Sequence, residues 1–145
     1  MRKGISFFLV LLLVLGIFGF VYGAPKDVED TKNETAVEVL MALGIIDGYP
    51  DGLFKPKNIV TRAEMAKILI AASGYGNVIN DAKSSFSDMS GHWADRYVAY
   101  AASLGIINGY PDGTFKPNQT VSYAEAATMM VRALGYTDDA LMSTW

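Results

Sequence analysis

One stretch of this chain occurs twice, and the pair decides what the chain can fold into. Residues 44–56 read GIIDGYPDGLFKP, and residues 105–117 read GIINGYPDGTFKP. The register of 61 residues holds from Leu43 and Leu104 through Tyr75 and Tyr136, with 19 of 33 positions identical. A period of this length marks a repeated supersecondary unit. One such unit buries too little apolar surface to stand alone, so neighbouring units must pack together.

The physics of the repeated stretch is local. Gly44 and Gly105 follow apolar periodic segments, where a helix stops on a left-handed residue. The Ile pairs after them anchor the exit in a core. Tyr-Pro-Asp-Gly is a turn with a mechanism: Pro presets φ, Asp bonds back to the backbone, and Gly52 or Gly113 takes a positive φ. Gly48 and Gly109 precede the turn. Phe54 and Phe115 return the chain to the core, and Pro56 and Pro117 block continuation. Each copy reads as helix stop, turned loop and re-entry.

Helices flank both loops. Val37, Leu40 and Met41 at helical spacing predict a helix over about 34–43, with Thr31 and Glu34 in capping-box register. Thr61 and Glu64 have the same S/T-x-x-E spacing and open a second helix that ends at Gly74. Trp93, Tyr97, Ala101 and Leu104 predict a third over about 92–104. Ser122 and Glu125 open a fourth, to about Leu134. The fold class is all-α, a tandem of helix–loop–helix units. The expected divisions are a leader at 1–23, a flexible N-terminus at 24–33, a first unit at 34–75, a linker at 76–85, a second unit at 86–136, and a tail or the start of a further segment at 137–145.

The leader follows from Arg2 and Lys3 before an apolar run at 5–22, with small residues at its exit. That is the layout of a secretory signal peptide, with cleavage expected after Gly23. The other reading of the run is a retained membrane anchor. The full chain carries a net charge of -3; loss of Arg2 and Lys3 leaves 10 basic against 15 acidic residues. Such a chain has no general attraction for nucleic acid, so an anionic partner needs a local basic site. There is no cysteine. Disulfides and thiolate metal sites are excluded, and an exported domain of this kind depends on its core alone.

Taken together, GII-x-GYPDG-x-F-x-P, then V-x-x-TRAE, then a helix ending in Gly-Tyr resemble the S-layer homology module. The second unit adds Phe86-Ser87-Asp88 and His92-Trp93-Ala94, which resemble the module's F-x-D and H-W-A elements. The resemblance covers nearly all of residues 34–136. It implies a bacterial surface protein held non-covalently to a secondary cell-wall polysaccharide, often one whose pyruvate ketal supplies a carboxylate. It implies three modules in a pseudo-threefold bundle with ligand grooves between neighbours; two modules would make that bundle incomplete. By analogy Arg62 meets the carboxylate, while Asp88 and Trp93 line the same groove. Two departures are visible. The first unit has no F-x-D and no Trp at its opening, and the second has SYAE, with Tyr123 in place of the arginine.

The residue chemistry agrees with those roles. A guanidinium presents a planar donor fork to a carboxylate. A Trp offers an apolar face to a sugar ring and an N–H to its hydroxyls. Because both units keep the cap residues and only one has the arginine, capping does not require Arg62. That favours a ligand role and predicts that Arg62→Ala weakens wall binding while the fold survives. Trp93 equally suits a core position, and Asp88 a helix cap. The Asp47 and Asp51 loop lacks the D-x-D-x-D-G spacing and late Glu of a calcium site, so no metal is expected. His92 is the only histidine, and no nucleophile–base set stands out, so neither catalysis nor a cofactor is expected. The expected partner is the wall polysaccharide, with the membrane met only through the signal peptide during export. The alternatives are a self-associating module of a surface layer and the targeting part of a longer surface hydrolase. Apolar Leu141, Met142 and Trp145 in the tail suggest a third module downstream, or completion of the bundle by self-association.

Overall fold

The computed structural model describes residues 23–136. The leader at 1–22 and the tail at 137–145, with Leu141, Met142 and Trp145, lie outside the described residues. Four helices follow in order among the described residues: α1 (Glu34–Ala42), α2 (Arg62–Ala72), α3 (Asp95–Ser103) and α4 (Tyr123–Ala133). Among the described residues there is no sheet, only an isolated antiparallel bridge between Thr61 and Thr120.

All four helices stop in the same way. Gly44, Gly74, Gly105 and Gly135 have φ of 67°, 83°, 70° and 89°. After α1, the Gly44 N–H donates to the Met41 carbonyl and the Ile45 N–H to the Leu40 carbonyl. The other three helices repeat this pair of bonds. It satisfies carbonyls that a helix end leaves orphaned, and glycine adopts the left-handed turn without a Cβ penalty.

The second helix of each repeat starts on a reciprocal cap. Thr61 Oγ1 accepts from the Glu64 N–H while Glu64 accepts from the Thr61 N–H; Ser122 and Glu125 do the same. α1 begins differently from its sequence reading. Its N-cap is Asn33 with no side-chain cap, Thr31 donates to the Val28 carbonyl, and Glu34 accepts from the Asp30 N–H. α3 begins at Asp95 and not near 92, since His92 turns back to accept the Ala94 N–H on Nδ1. Trp93 therefore precedes the helix.

The core is unequally shared. Its main cluster includes Phe115, Met89, Val98, Ala101, Ile106 and Ile107 of the second repeat, together with Ala63, Ala66, Leu69 and Ile70 from α2. α2 packs on both α3 and α4. The second helix of the first repeat thus belongs to the core of the second. A smaller cluster of Ala24, Val28 and Val37, with Met41, Ile46 and Phe54 against it, holds the first loop.

Residues 24–33 are not a loose lead-in. Ala24, Pro25 and Val28 are buried, and the Asp27 carboxylate accepts the N–H groups of Phe54 (2.9 Å) and Lys55 (2.6 Å). Asp88 does the same for Phe115 and Lys116, both at 2.8 Å. Asp27 lies one period before Asp88, so the first repeat retains the aspartate of its opening element although Pro25 replaces the phenylalanine. The repeat therefore extends upstream to about residue 25.

Candidate functional site

The loops are built alike. In each, a carboxylate inside the turn (Asp51 or Asp112) accepts the N–H two residues on and pairs with the lysine four residues on. Those lysines, Lys55 and Lys116, both have φ of 57° and lay their ammonium groups over Tyr49 and Tyr110. A non-glycine residue in this region is strained, and here the strain is offset by the N–H bond to Asp27 or Asp88. Asp88 acts on its own loop, each of its oxygens accepting one N–H, from Phe115 and from Lys116.

Arg62 is the junction of the repeats. It is 4% exposed. Its Nε donates to the Phe115 carbonyl (2.8 Å), Nη1 to the Glu125 carboxylate, and Nη2 to the Asn108 carbonyl (3.3 Å). Its guanidinium lies 4.8 Å from the Tyr110 ring centre and 4.7 Å from that of Phe115. Tyr110 also donates to Glu125. The Ser122 N–H bond holds the Glu125 carboxyl below its ordinary range. Burial opposes this, while the Ser122 and Tyr110 hydroxyls and the Arg62 charge support it. The backbone joins the same seam: the Arg62 and Ala63 N–H groups donate to the Gln119 and Pro117 carbonyls, and the Val121 N–H to Val60. The carboxylate that meets Arg62 is thus one of the protein's own. The reason that capping does not need this arginine is that its partners lie in the other repeat.

Two hollows flank the seam. The smaller, about 280 Å³, lies over the second loop and is lined by Arg62, Asn108, Tyr110, Glu125 and Arg132 among others. The larger, about 590 Å³, lies over the first loop and is lined by Asp47, Tyr49, Phe54, Ile59, Glu64, Lys67, Ile68 and Trp93. Trp93 comes from the second repeat and is 57% exposed. Its ring is edge-on to Tyr97 at 6.4 Å. Lys67 closes the floor; its ammonium donates to the Ile45 carbonyl and pairs with Asp47 at 2.8 Å.

The three residues expected in one groove are therefore distributed. Arg62 and Asp88 both hold the backbone of Phe115, one at its carbonyl and one at its N–H. Trp93 alone stands on the rim of the large cleft. Lys67 and Asp27 were not singled out from sequence. Asp27 was legible by carrying the 61-residue register further upstream; Lys67 faces Thr128 in the other copy, and nothing in its spacing marks it.

The model of the S-layer homology domain matches residues 26–66 and 85–127, more than half of the chain. This chain belongs to the S-layer homology family. Both matched segments begin within three residues of the aspartates that hold the loops. A surface layer protein of Brevibacillus choshinensis is 40% identical over 116 residues, 78% of this chain and 10% of that protein. A cellulosome-anchoring protein of Acetivibrio thermocellus is 34% identical, over 75% of this chain and 25% of its own length. An uncharacterized cell wall amidase of Bacillus anthracis is 36% identical, over 74% of this chain and 20% of its own. The chain spans between a tenth and a quarter of these relatives. No described helix is long and apolar enough to cross a membrane.

Proposed function

We propose that the chain fastens an exported bacterial protein to the cell wall, without covalent bonds, by binding an anionic and pyruvylated wall polysaccharide in the large cleft. The observation that carries this reading is Trp93, an indole left more than half exposed on the rim of an apolar cleft whose floor holds the Lys67 ammonium. An indole face suits a sugar ring. An ammonium has three donors, and two of those of Lys67 are engaged by the protein, leaving one for a carboxylate. Family membership and the names of the relatives, a surface layer protein and a cellulosome-anchoring protein, support a wall-associated, non-enzymatic role. In this reading Arg62 and Asp88 are positioning residues: they hold Phe115 and the seam that brings Trp93 over the first loop.

The test is co-sedimentation with purified wall sacculi before and after acid extraction of the polysaccharide, and after removal of pyruvate. Binding is expected to native walls and to fall with each treatment. Trp93→Ala leaves the core untouched and is expected to cost about 2 kcal/mol or more, a loss of at least ten-fold in affinity. Equal binding of extracted and native walls would reject the polysaccharide, and equal binding of pyruvate-free material would reject the carboxylate.

A further inference from the structure

The two repeats present the same hollow, and only one is filled. In the second, Asn108, Tyr110, Phe115 and Glu125 surround the Arg62 guanidinium. In the first, their counterparts Asp47, Tyr49, Phe54 and Glu64 line the open 590 Å³ cleft. Arg62 has its own counterpart in Tyr123, at the same step of the second helix, and Tyr123 is 93% exposed. The backbone shows the same asymmetry. The Arg62 and Ala63 N–H groups donate to Gln119 and Pro117. Among the described residues, the N–H groups of Tyr123 and Ala124 have no acceptor, and the carbonyls of Asn58 and Pro56, the counterparts of Gln119 and Pro117, have no donor. Leu69 of α2 is 8% exposed against the second repeat, while its counterpart Met130 is 46% exposed.

We propose that a second copy of this chain joins these two faces. The first repeat of one copy docks on the exposed start of α4 of the other, and Tyr123 enters the Tyr49–Phe54–Glu64 hollow as Arg62 enters its own. The phenol ring lies against Tyr49 and Phe54, and its hydroxyl donates to Glu64 where the guanidinium donates to Glu125. A second cation in the manner of Arg62 does not suit this hollow, because Lys67, in the place of Thr128, already brings an ammonium to it. The 56–60 segment supplies the Pro56 and Asn58 carbonyls to the free N–H groups of α4. The two surfaces are different patches of one chain, so the contact is heterologous: it closes a ring where its rotation allows and otherwise continues head to tail. It rests on the repeat geometry and not on the glycan reading. Tyr123 and glycan contend for one cleft, so the test is run without wall material.

The measurement is molar mass by light scattering over a wide concentration range. The wild type is expected to grow in mass with concentration. Tyr123→Glu spoils one face and Ile59→Glu, in the docking segment, spoils the other; both positions are exposed, and circular dichroism and melting check each fold. Each variant alone is expected to stay monomeric, with association weakened at least ten-fold. Mixed together, they retain one good face of each kind and are expected to form a dimer and nothing larger. A wild type that stays monomeric, variants that assemble like the wild type, or a mixture that stays monomeric would each overturn the proposal. If Tyr123→Glu fails to fold, Tyr123→Ala serves in its place, with the same expected loss.

Discussion

Arg62 of the first repeat donates to Glu125 of the second, and each of these residues stands at the start of its own helix. Glu125 performs two tasks with its two oxygens. Oε2 closes the cap on Ser122, while Oε1 takes Arg62 and Tyr110. The start of α4 is therefore coupled to the start of α2 through one carboxylate, and the seam between the repeats depends on it.

Arg62→Ala is accordingly expected to lower the stability of the fold as well as wall binding. It removes one partner of a largely buried ion pair and leaves the Phe115 and Asn108 carbonyls without their donor. Because Glu125 keeps its Ser122 and Tyr110 bonds and part of its solvent contact, the cost is about 2–4 kcal/mol. Arg62→Lys is expected to recover only part, since an ammonium cannot reach the three acceptors in one plane. Thermal and urea melts measure this. A melt unchanged by Arg62→Ala would show that the seam does not depend on the arginine.

The loop aspartates predict a different pattern. Asp88→Asn replaces one of two acceptors with a donor facing the N–H of Phe115 or of Lys116, so the strained backbone at Lys116 loses part of its support. Lys116→Gly removes the strain itself and is expected to stabilise the wild type by about 1 kcal/mol and to recover part of the Asp88→Asn loss. Asp27→Asn with Lys55→Gly repeats the pair in the first loop. Melting temperatures of the four variants, singly and in pairs, provide the check. Strictly additive effects within each pair would break the link between aspartate and lysine.

Sequence alone carried the elements further than the site. Helix stops, turns and the two caps were legible because each is decided by residues within a few positions: Gly44 for a left-handed φ, Asp51 for the bond to Leu53, Thr61 for Glu64. The role of Arg62 was not, because its partners lie 46 to 63 residues away in the other repeat. Comparing the two copies does not reveal those partners. Tyr123 replaces the arginine where no described residue faces it, so its difference reflects what each repeat has for a neighbour, not whether the position has a packing role. Asp27 escapes the F-x-D motif because Pro25 stands in the place of the phenylalanine, and only the 61-residue register reaches it.

That same replacement separates two glycines. A Cβ on Gly109 would lie 2.1 Å from the Phe86 ring and 2.8 Å from the Thr114 carbonyl oxygen. A Cβ on Gly48 would meet the Leu53 carbonyl oxygen at 3.1 Å, with no ring above it. Gly109→Ala must displace Phe86 from its place against Phe115 and is expected to cost about 1–3 kcal/mol. Gly48→Ala is expected to cost less. Comparable denaturation midpoints for the two variants would contradict the close approach of Phe86.

Acid is expected to open the seam before the loops. The folded state holds Glu125 below its ordinary value of 4.5, chiefly by the Ser122 N–H bond against the opposing effect of burial. A carboxyl lowered on folding contributes stability that is fully present above its unfolded value and is lost as pH falls through its folded one. The contribution of Glu125 therefore begins to fall near pH 4.5. Asp27, Asp51, Asp95 and Asp112 are also lowered, from 3.8, so theirs fall later. For Asp27 the leading cause is the Phe54 N–H bond. For Asp95 burial opposes ionisation, but the Ser84 N–H and hydroxyl and the Lys83 charge outweigh it. Glu125→Gln is expected to lower stability at neutral pH and to flatten the upper part of the acid transition, leaving the lower part in place. Urea midpoints measured between pH 7 and pH 3 would reveal this; a variant whose midpoints run parallel to the wild type through pH 4.5 would exclude Glu125 as the first group to yield.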